Sequence, residues 1–228
     1  MTRKEELSAN LGQVQKRIAQ ACAAANRDVS EIELIVVTKT YPASDVVLLS
    51  ELGVRNVGEN KHPEAQIKKA EAAVPNVRWH YLGGLQSNKA AVVASYADVI
   101  HSVDRLKLLP GLAKGAPDSK VDCFVQVRLS ETEGRAGIEP ENVHQLADEL
   151  VRYDNLRLVG VMGVAPLGLD PTPSFELLAR IAKDLEQRFS APMSISAGMS
   201  DDLEKAVLAG ATHLRIGRAI LGERPKMP

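Results

Sequence analysis

A lysine closes the most apolar strand-like run of the N-terminal third. Residues 34–37 read Leu-Ile-Val-Val, Thr38 and Lys39 follow, and Pro42 stops the strand soon after. Such β-branched runs suit a strand buried on both faces. Where a buried strand emerges, desolvation lowers the pKa of an amine and frees it to attack a carbonyl. The alternative is a lysine that snorkels to solvent, and the stretch alone does not choose. Two glycine-bounded segments near the other end of the chain offer a partner chemistry. Gly198-Met199-Ser200 and Gly217-Arg218-Ala219 each let the backbone approach closely and expose amides that bind an anion, with a hydroxyl added by Ser200. Each alone reads equally as a turn, with Ser200 an N-cap. Together, opposite Lys39, they favour phosphate. A reactive lysine beside a phosphate cradle suits a phosphorylated aldehyde or ketone held as a Schiff base, and both pyridoxal phosphate and a sugar phosphate fit. Arg215 lies between the two segments. Set against a pyridine nitrogen, a guanidinium that only donates would keep that nitrogen unprotonated and the ring a poor electron sink. A surface or phosphate-pairing role is its plainer reading.

The elements that must position these residues alternate along the whole chain. An amphipathic helix is expected over residues 3–26, carrying Leu7, Leu11, Val14, Ile18 and Cys22 on one face. Strands are expected near 33–39, 55–60, 78–84, 98–103, 121–129, 158–162, 193–197 and 213–216. Helices are expected between them, with Ser44 and Asp104 as caps, Pro63 and Pro140 as starts, Val151 facing inward, and a helix opened by Ser200, Asp201 and Asp202. Eight such units favour a single closed (β/α)8 TIM barrel over an open doubly wound sheet, since no Gly-x-Gly-x-x-Gly follows the first strand. In a barrel, ligands bind at the C-terminal strand ends, where Lys39, Asn60, Ser200 and Arg215 fall. His80 and Tyr81 share strand three, and only the register decides which faces the interior.

Composition narrows the classes. With 28 basic and 29 acidic residues the formal net charge is -1, so no global field favours nucleic acid or an anionic membrane. The two cysteines, Cys22 and Cys123, make neither a disulfide framework nor a metal motif and read as packed thiols. No signal core or bilayer-length apolar run is seen, so the cytoplasm is the default compartment. Lys68-Lys69 reads as a solvated helix face.

Five stretches carry a more specific signal: Val-Val-Thr-Lys-Thr-Tyr-Pro at 36–42, Val-Gly-Glu-Asn at 57–60, Trp-His-Tyr-Leu-Gly-Gly-Leu-Gln-Ser-Asn-Lys at 79–89, His-Ser-Val-Asp-Arg at 101–105, and Ser-Ala-Gly-Met-Ser-Asp-Asp-Leu-Glu at 196–204 followed by Leu-Arg-Ile-Gly-Arg-Ala-Ile-Leu-Gly at 214–222. In this order they resemble the YggS/PROSC family of pyridoxal phosphate homeostasis proteins. The resemblance implies one barrel domain over residues 1–228, of PLP fold type III and similar to the alanine racemase N-terminal domain, with residues 1–30 packed on it. It implies pyridoxal 5'-phosphate as cofactor, Lys39 as its lysine, Asn60 nearby, Ser200 on the phosphate, Arg215 near the pyridine nitrogen, and Gly217 and Arg218 as backbone phosphate ligands. The family commonly has threonine at the place of Arg218, so here only the amide is expected to remain. Lys61-His62-Pro63 departs from the usual continuation of the Gly-Glu-Asn motif. The implied role is a cytoplasmic, monomeric carrier or buffer of the cofactor without catalytic turnover, with apo-forms of PLP enzymes as partners and no nucleic acid or membrane. A weak PLP-dependent amino-acid racemase is the alternative.

Overall fold

In the computed structural model, which describes residues 1–130 and 136–223, eight parallel strands close on themselves. They are β1 (Glu33–Val37), β2 (Asn56–Glu59), β3 (Arg78–Tyr81), β4 (Val99–Val103), β5 (Val121–Gln126), β6 (Leu156–Met162), β7 (Ser194–Ser196) and β8 (His213–Ile216). Each pairs with the next, and β8 returns to β1 through the register Val36↔Ile216. The fold is the expected (β/α)8 barrel.

The helices are α1 (Arg3–Ala24), α2 (Ala43–Glu51), α3 (Glu64–Ala72), α4 (Ala90–Ala94), α5 (Leu109–Gly115), α6 (Val143–Leu150), α7 (Thr172–Phe189), α8 (Leu203–Leu208) and α9 (Arg218–Leu221). Their apolar faces meet the outward side chains of the strands in one continuous core that includes Val36, Trp79, Tyr81, Ile100, Cys123, Val161, Leu214 and Ile216. Burial of this kind is the main favourable term in folding. A second, smaller cluster of Val99, Phe124 and Met162 fills part of the barrel interior. The helix α1 starts with a capping box between Thr2 and Glu5, buries Leu7, Leu11, Val14, Ile18, Ala21 and Cys22, and packs against α2, α8 and α9. Both cysteines are buried and free, as expected. Among the described residues no helix is long and apolar enough to cross a membrane.

Several local expectations change. The strand β1 ends at Val37, two residues before Lys39: Thr38 N–H still donates to the Gly58 carbonyl of β2, but the Thr38 carbonyl turns away to accept from Tyr41 N–H. Pro42 takes the cap position of α2, and the Ser44 hydroxyl lies inside the helix without capping it. Asp104 pairs with Arg105 instead of capping, and Val151 is exposed past the end of α6. The acids at 201–202 precede α8, which begins at Leu203; Asp202 accepts instead from Met199 N–H at 2.5 Å. The strand β5 stops at Gln126, beyond which Val127 bridges Ile138; most of the polar loop expected at 131–137 lies outside the described residues.

Candidate cofactor site at the C-terminal barrel mouth

Parallel registers bring the predicted residues to one end of the barrel. The strand β1 lies between β8 and β2, with Val36 opposite Ile216 and Val37 opposite Gly58. Lys39, Asn60 and Gly217 therefore leave three adjacent strands at their C-terminal ends. Lys39 is half-buried in its turn. A Cβ placed on Gly217 would lie 3.2 Å from the Val37 carbonyl, so the loop after β8 runs directly against the end of β1. Asn60 is backed by Gly83, where a Cβ would sit 1.8 Å from the Asn60 carbonyl oxygen; no residue other than glycine fits there without moving Asn60.

The two glycine-bounded loops meet as expected. Gly198 has φ +91°, and a Cβ there would approach the Ala206 Cβ to 2.7 Å, so both backbone and space require glycine. Ser200 is half-buried, and its Oγ accepts from Ala219 N–H at 3.4 Å, tying the loop after β7 to the start of α9. That contact uses the hydroxyl as acceptor and leaves its proton to donate elsewhere. The backbone amides of Ser200 and Arg218 have no acceptor among the described residues. These free donors and the glycine-permitted close approach fit a phosphate dianion. The Arg218 side chain is exposed and turns to Asp201 at 2.7 Å, which leaves its amide as its contribution to the cradle.

Arg215 is buried inside the barrel, not on the surface. Its Nη1 donates to Ser196 Oγ at 2.6 Å and its Nη2 to the Gly163 carbonyl at 2.8 Å. Burial pushes the guanidinium down to about 10, so it remains a cation at neutral pH. From Arg215 a chain of hydrogen bonds crosses the lumen. A guanidinium can only donate, so the Ser196 hydroxyl proton points onward to His101 Nδ1 at 2.9 Å. His101 Nε2–H then donates to His80 Nδ1 at 2.9 Å, and His80 Nε2–H to Asn56 Oδ1 at 3.0 Å. The strands β4 and β7 are not neighbours, so the bond from Ser196 to His101 spans the interior. Every link runs in one direction and needs both histidines neutral. Burial favours that state, lowering His80 to about 3 and His101 well below the ordinary histidine range.

The register also settles strand three. His80 faces the interior with both ring nitrogens occupied, while Tyr81 faces outward into the helix-packed core. Neither is placed to exchange a proton with a ligand at the mouth. Ser196 and His101 were read only as members of their strands, because which strand residues face the lumen depends on register. Their signal was polar residues in strands expected to be apolar on both faces. Lys68 was misread. It is 5% exposed, and its amine lies against Thr38 and Glu59. Among the described residues no cluster of histidine, cysteine and carboxylate side chains could hold a metal ion.

Residues 9–225 match the alanine racemase N-terminal domain family. The chain is 37% identical to the pyridoxal phosphate homeostasis protein of Mycobacterium tuberculosis, over 97% of this chain and 94% of the relative. It is 34% identical to the protein of the same name from Escherichia coli, over 96% and 97%. Among solved structures, PipY of Synechococcus elongatus with PLP bound superposes with a TM-score of 0.79 at 33% identity, covering 90% of this chain and all of that one. An alanine racemase from Clostridium difficile gives a TM-score of 0.75 at 16% identity, covering 97% of this chain and 58% of that one, and shows a shared fold.

Proposed function

Since this chain belongs to the pyridoxal phosphate homeostasis protein family, we propose that it binds pyridoxal 5'-phosphate at the C-terminal mouth of its barrel and works as a carrier and buffer of that cofactor. The observation that carries the reading is the meeting, at one barrel end, of the Lys39 turn, the Gly198–Ser200 and Gly217–Arg218 loops, and a buried Arg215. When bound, the cofactor supplies an aldehyde for a reversible carbon–nitrogen bond and a ring able to accept electrons. Lys39 Nζ would hold the cofactor through that aldehyde, and the reversibility of the link is what would let the cofactor be given up again. The Ser200 hydroxyl and the amides at Gly217 and Arg218 hold the phosphate, and Asn60 lines the ring side. Arg215, fixed by Ser196 and Gly163, can only donate, so a pyridine nitrogen facing it would find no acceptor for a proton and the ring would take up electrons weakly.

Racemisation needs an acid/base group on each face of the substrate α-carbon. Lys39 can serve one. His80 has both nitrogens committed and Tyr81 points away, which favours storage and delivery over turnover. A monomer that hands the cofactor to apo-enzymes in the cytoplasm completes the proposal.

The test is visible absorbance of the purified protein with and without pyridoxal 5'-phosphate, for wild type and Lys39→Ala. A yellow band that borohydride removes, absent in Lys39→Ala, is expected. No band at saturating cofactor would sink the reading in favour of a phosphorylated sugar as the ligand. Amino-acid racemisation that Lys39→Ala abolishes would replace the carrier with an enzyme.

A further inference from the structure

The backbone on both sides of Lys39 is gripped by charged groups, two of them buried, that the binding reading does not use. Thr40 has φ +69°, and for a β-branched residue the left-handed region is a true outlier. Such a conformation persists only where the surroundings over-determine it, and such residues cluster at functional sites. Three contacts hold this segment, two at Thr38 and one at Thr40. Lys68 Nζ, on α3, donates to the Thr38 carbonyl at 2.8 Å. The Thr38 hydroxyl donates to Glu59 Oε1 at 2.6 Å. Thr40 N–H donates to Glu64 Oε1, at the first turn of α3, at 3.1 Å. The same groups hold one another: the Lys68 amine is 2.6 Å from Glu59 Oε1 and 3.6 Å from Glu64 Oε1. Lys68 and Glu59 are 5% and 1% exposed.

A buried ion pair adds little net stability over apolar side chains of the same size, so stability alone gives this pair no reason to be here. What it does give is a fixed position, because its amine and carboxylate grip the carbonyl and hydroxyl of the residue before Lys39. We propose that Lys68, Glu59 and Glu64 are positioning residues for Lys39, locking Thr38 and Thr40 so that the amine between them is aimed into the barrel mouth. The inference rests on the reading that Lys39 takes up pyridoxal 5'-phosphate. The gain is pre-organisation: a displacement of about 1 Å at an attacking group can cost on the order of a hundredfold in rate.

The double variant Lys68→Met/Glu59→Gln removes both buried charges at nearly constant volume and leaves Lys39 and the phosphate loops untouched. Three quantities separate aim from fold. One is the rate at which the borohydride-sensitive band forms on mixing with pyridoxal 5'-phosphate. Another is the affinity for pyridoxine 5'-phosphate, which keeps the ring and phosphate but has no aldehyde. The third is hydrogen exchange of the Thr40 amide in the cofactor-free protein. We expect band formation slowed about tenfold or more, affinity for the aldehyde-free analogue within about threefold of wild type, and faster Thr40 exchange. Glu64→Ala, at a side chain that is 41% exposed, should give a milder form of the same split without endangering the fold. Glu64→Gln, whose carbonyl oxygen still accepts from Thr40, should restore it. Wild-type band formation in both the double variant and Glu64→Ala overturns the inference, as does parallel loss of rate and analogue affinity. Absence of a band in wild type would instead overturn the cofactor reading itself.

Discussion

Replacing Ser196 by alanine removes one oxygen from a site with no solvent exposure, and the hydrogen-bond chain through the lumen fixes what that costs. The oxygen accepts from the Arg215 cation at 2.6 Å and donates to His101 Nδ1 at 2.9 Å. Losing a hydrogen bond to a charged group costs about 1.5–3 kcal/mol, and stranding a buried acceptor about 1–3 kcal/mol. Relaxation is shared between the two sites, so Ser196→Ala should cost about 2–4 kcal/mol, a large part of the 5–15 kcal/mol that holds a typical domain together. Urea unfolding followed by circular dichroism measures this directly, as a lower midpoint at unchanged slope. Ser102→Ala is the matched control. Ser102 is 1% exposed, and its hydroxyl has no partner among the described residues, so the same deletion should change stability by less than about 0.5 kcal/mol or raise it. A Ser196→Ala protein within about 0.5 kcal/mol of wild type, or a Ser102→Ala protein equally damaged, would refute the directional chain.

Three further outcomes follow from the same geometry. His80 and His101 are held neutral by burial, with folded pKa values below the unfolded value near 6.5. Unfolding then takes up protons as pH falls below that value, so stability present above pH 6.5 should decline on acidification by up to about 1.4 kcal/mol per pH unit for each ring. Urea midpoints between pH 7 and pH 5.5 check this, and a flat profile would contradict it. Gly83→Ala forces a Cβ to within 1.8 Å of the Asn60 carbonyl oxygen and should lower both the melting temperature and pyridoxal 5'-phosphate affinity, read by thermal unfolding and spectral titration. Arg218→Ala, which loses only an exposed pair with Asp201, should change that affinity by less than about threefold, whereas a large loss would assign the guanidinium itself to the phosphate.

Lys39 and the eight-unit alternation were legible in the sequence because each depends on local pattern. A β-branched run ending in a lysine, and apolar faces repeating at helical spacing, need no partner to be recognised. Gly198 was legible for the same reason, since its left-handed backbone is its own property, whereas what Gly217 faces, the end of β1, is a matter of tertiary structure. Lys68 was not legible, because a basic pair on a helix reads as solvated until the strand carrying Glu59 is folded against it.

What the sequence determined by itself is therefore the order and kind of the elements, the family, and the residues that chemistry at a phosphorylated aldehyde would use. Closure of β8 onto β1 is what put Lys39 beside Gly217, and the strand register is what turned His80 inward and Tyr81 outward. The inward set of side chains then linked Arg215 to Asn56 through Ser196, His101 and His80, residues separated by up to 159 positions in the chain only because strands far apart in sequence share one lumen. Side-chain direction alternates with period two, so a shift of one residue would have exchanged every one of these assignments, and only the paired strands of the closed barrel fix that shift.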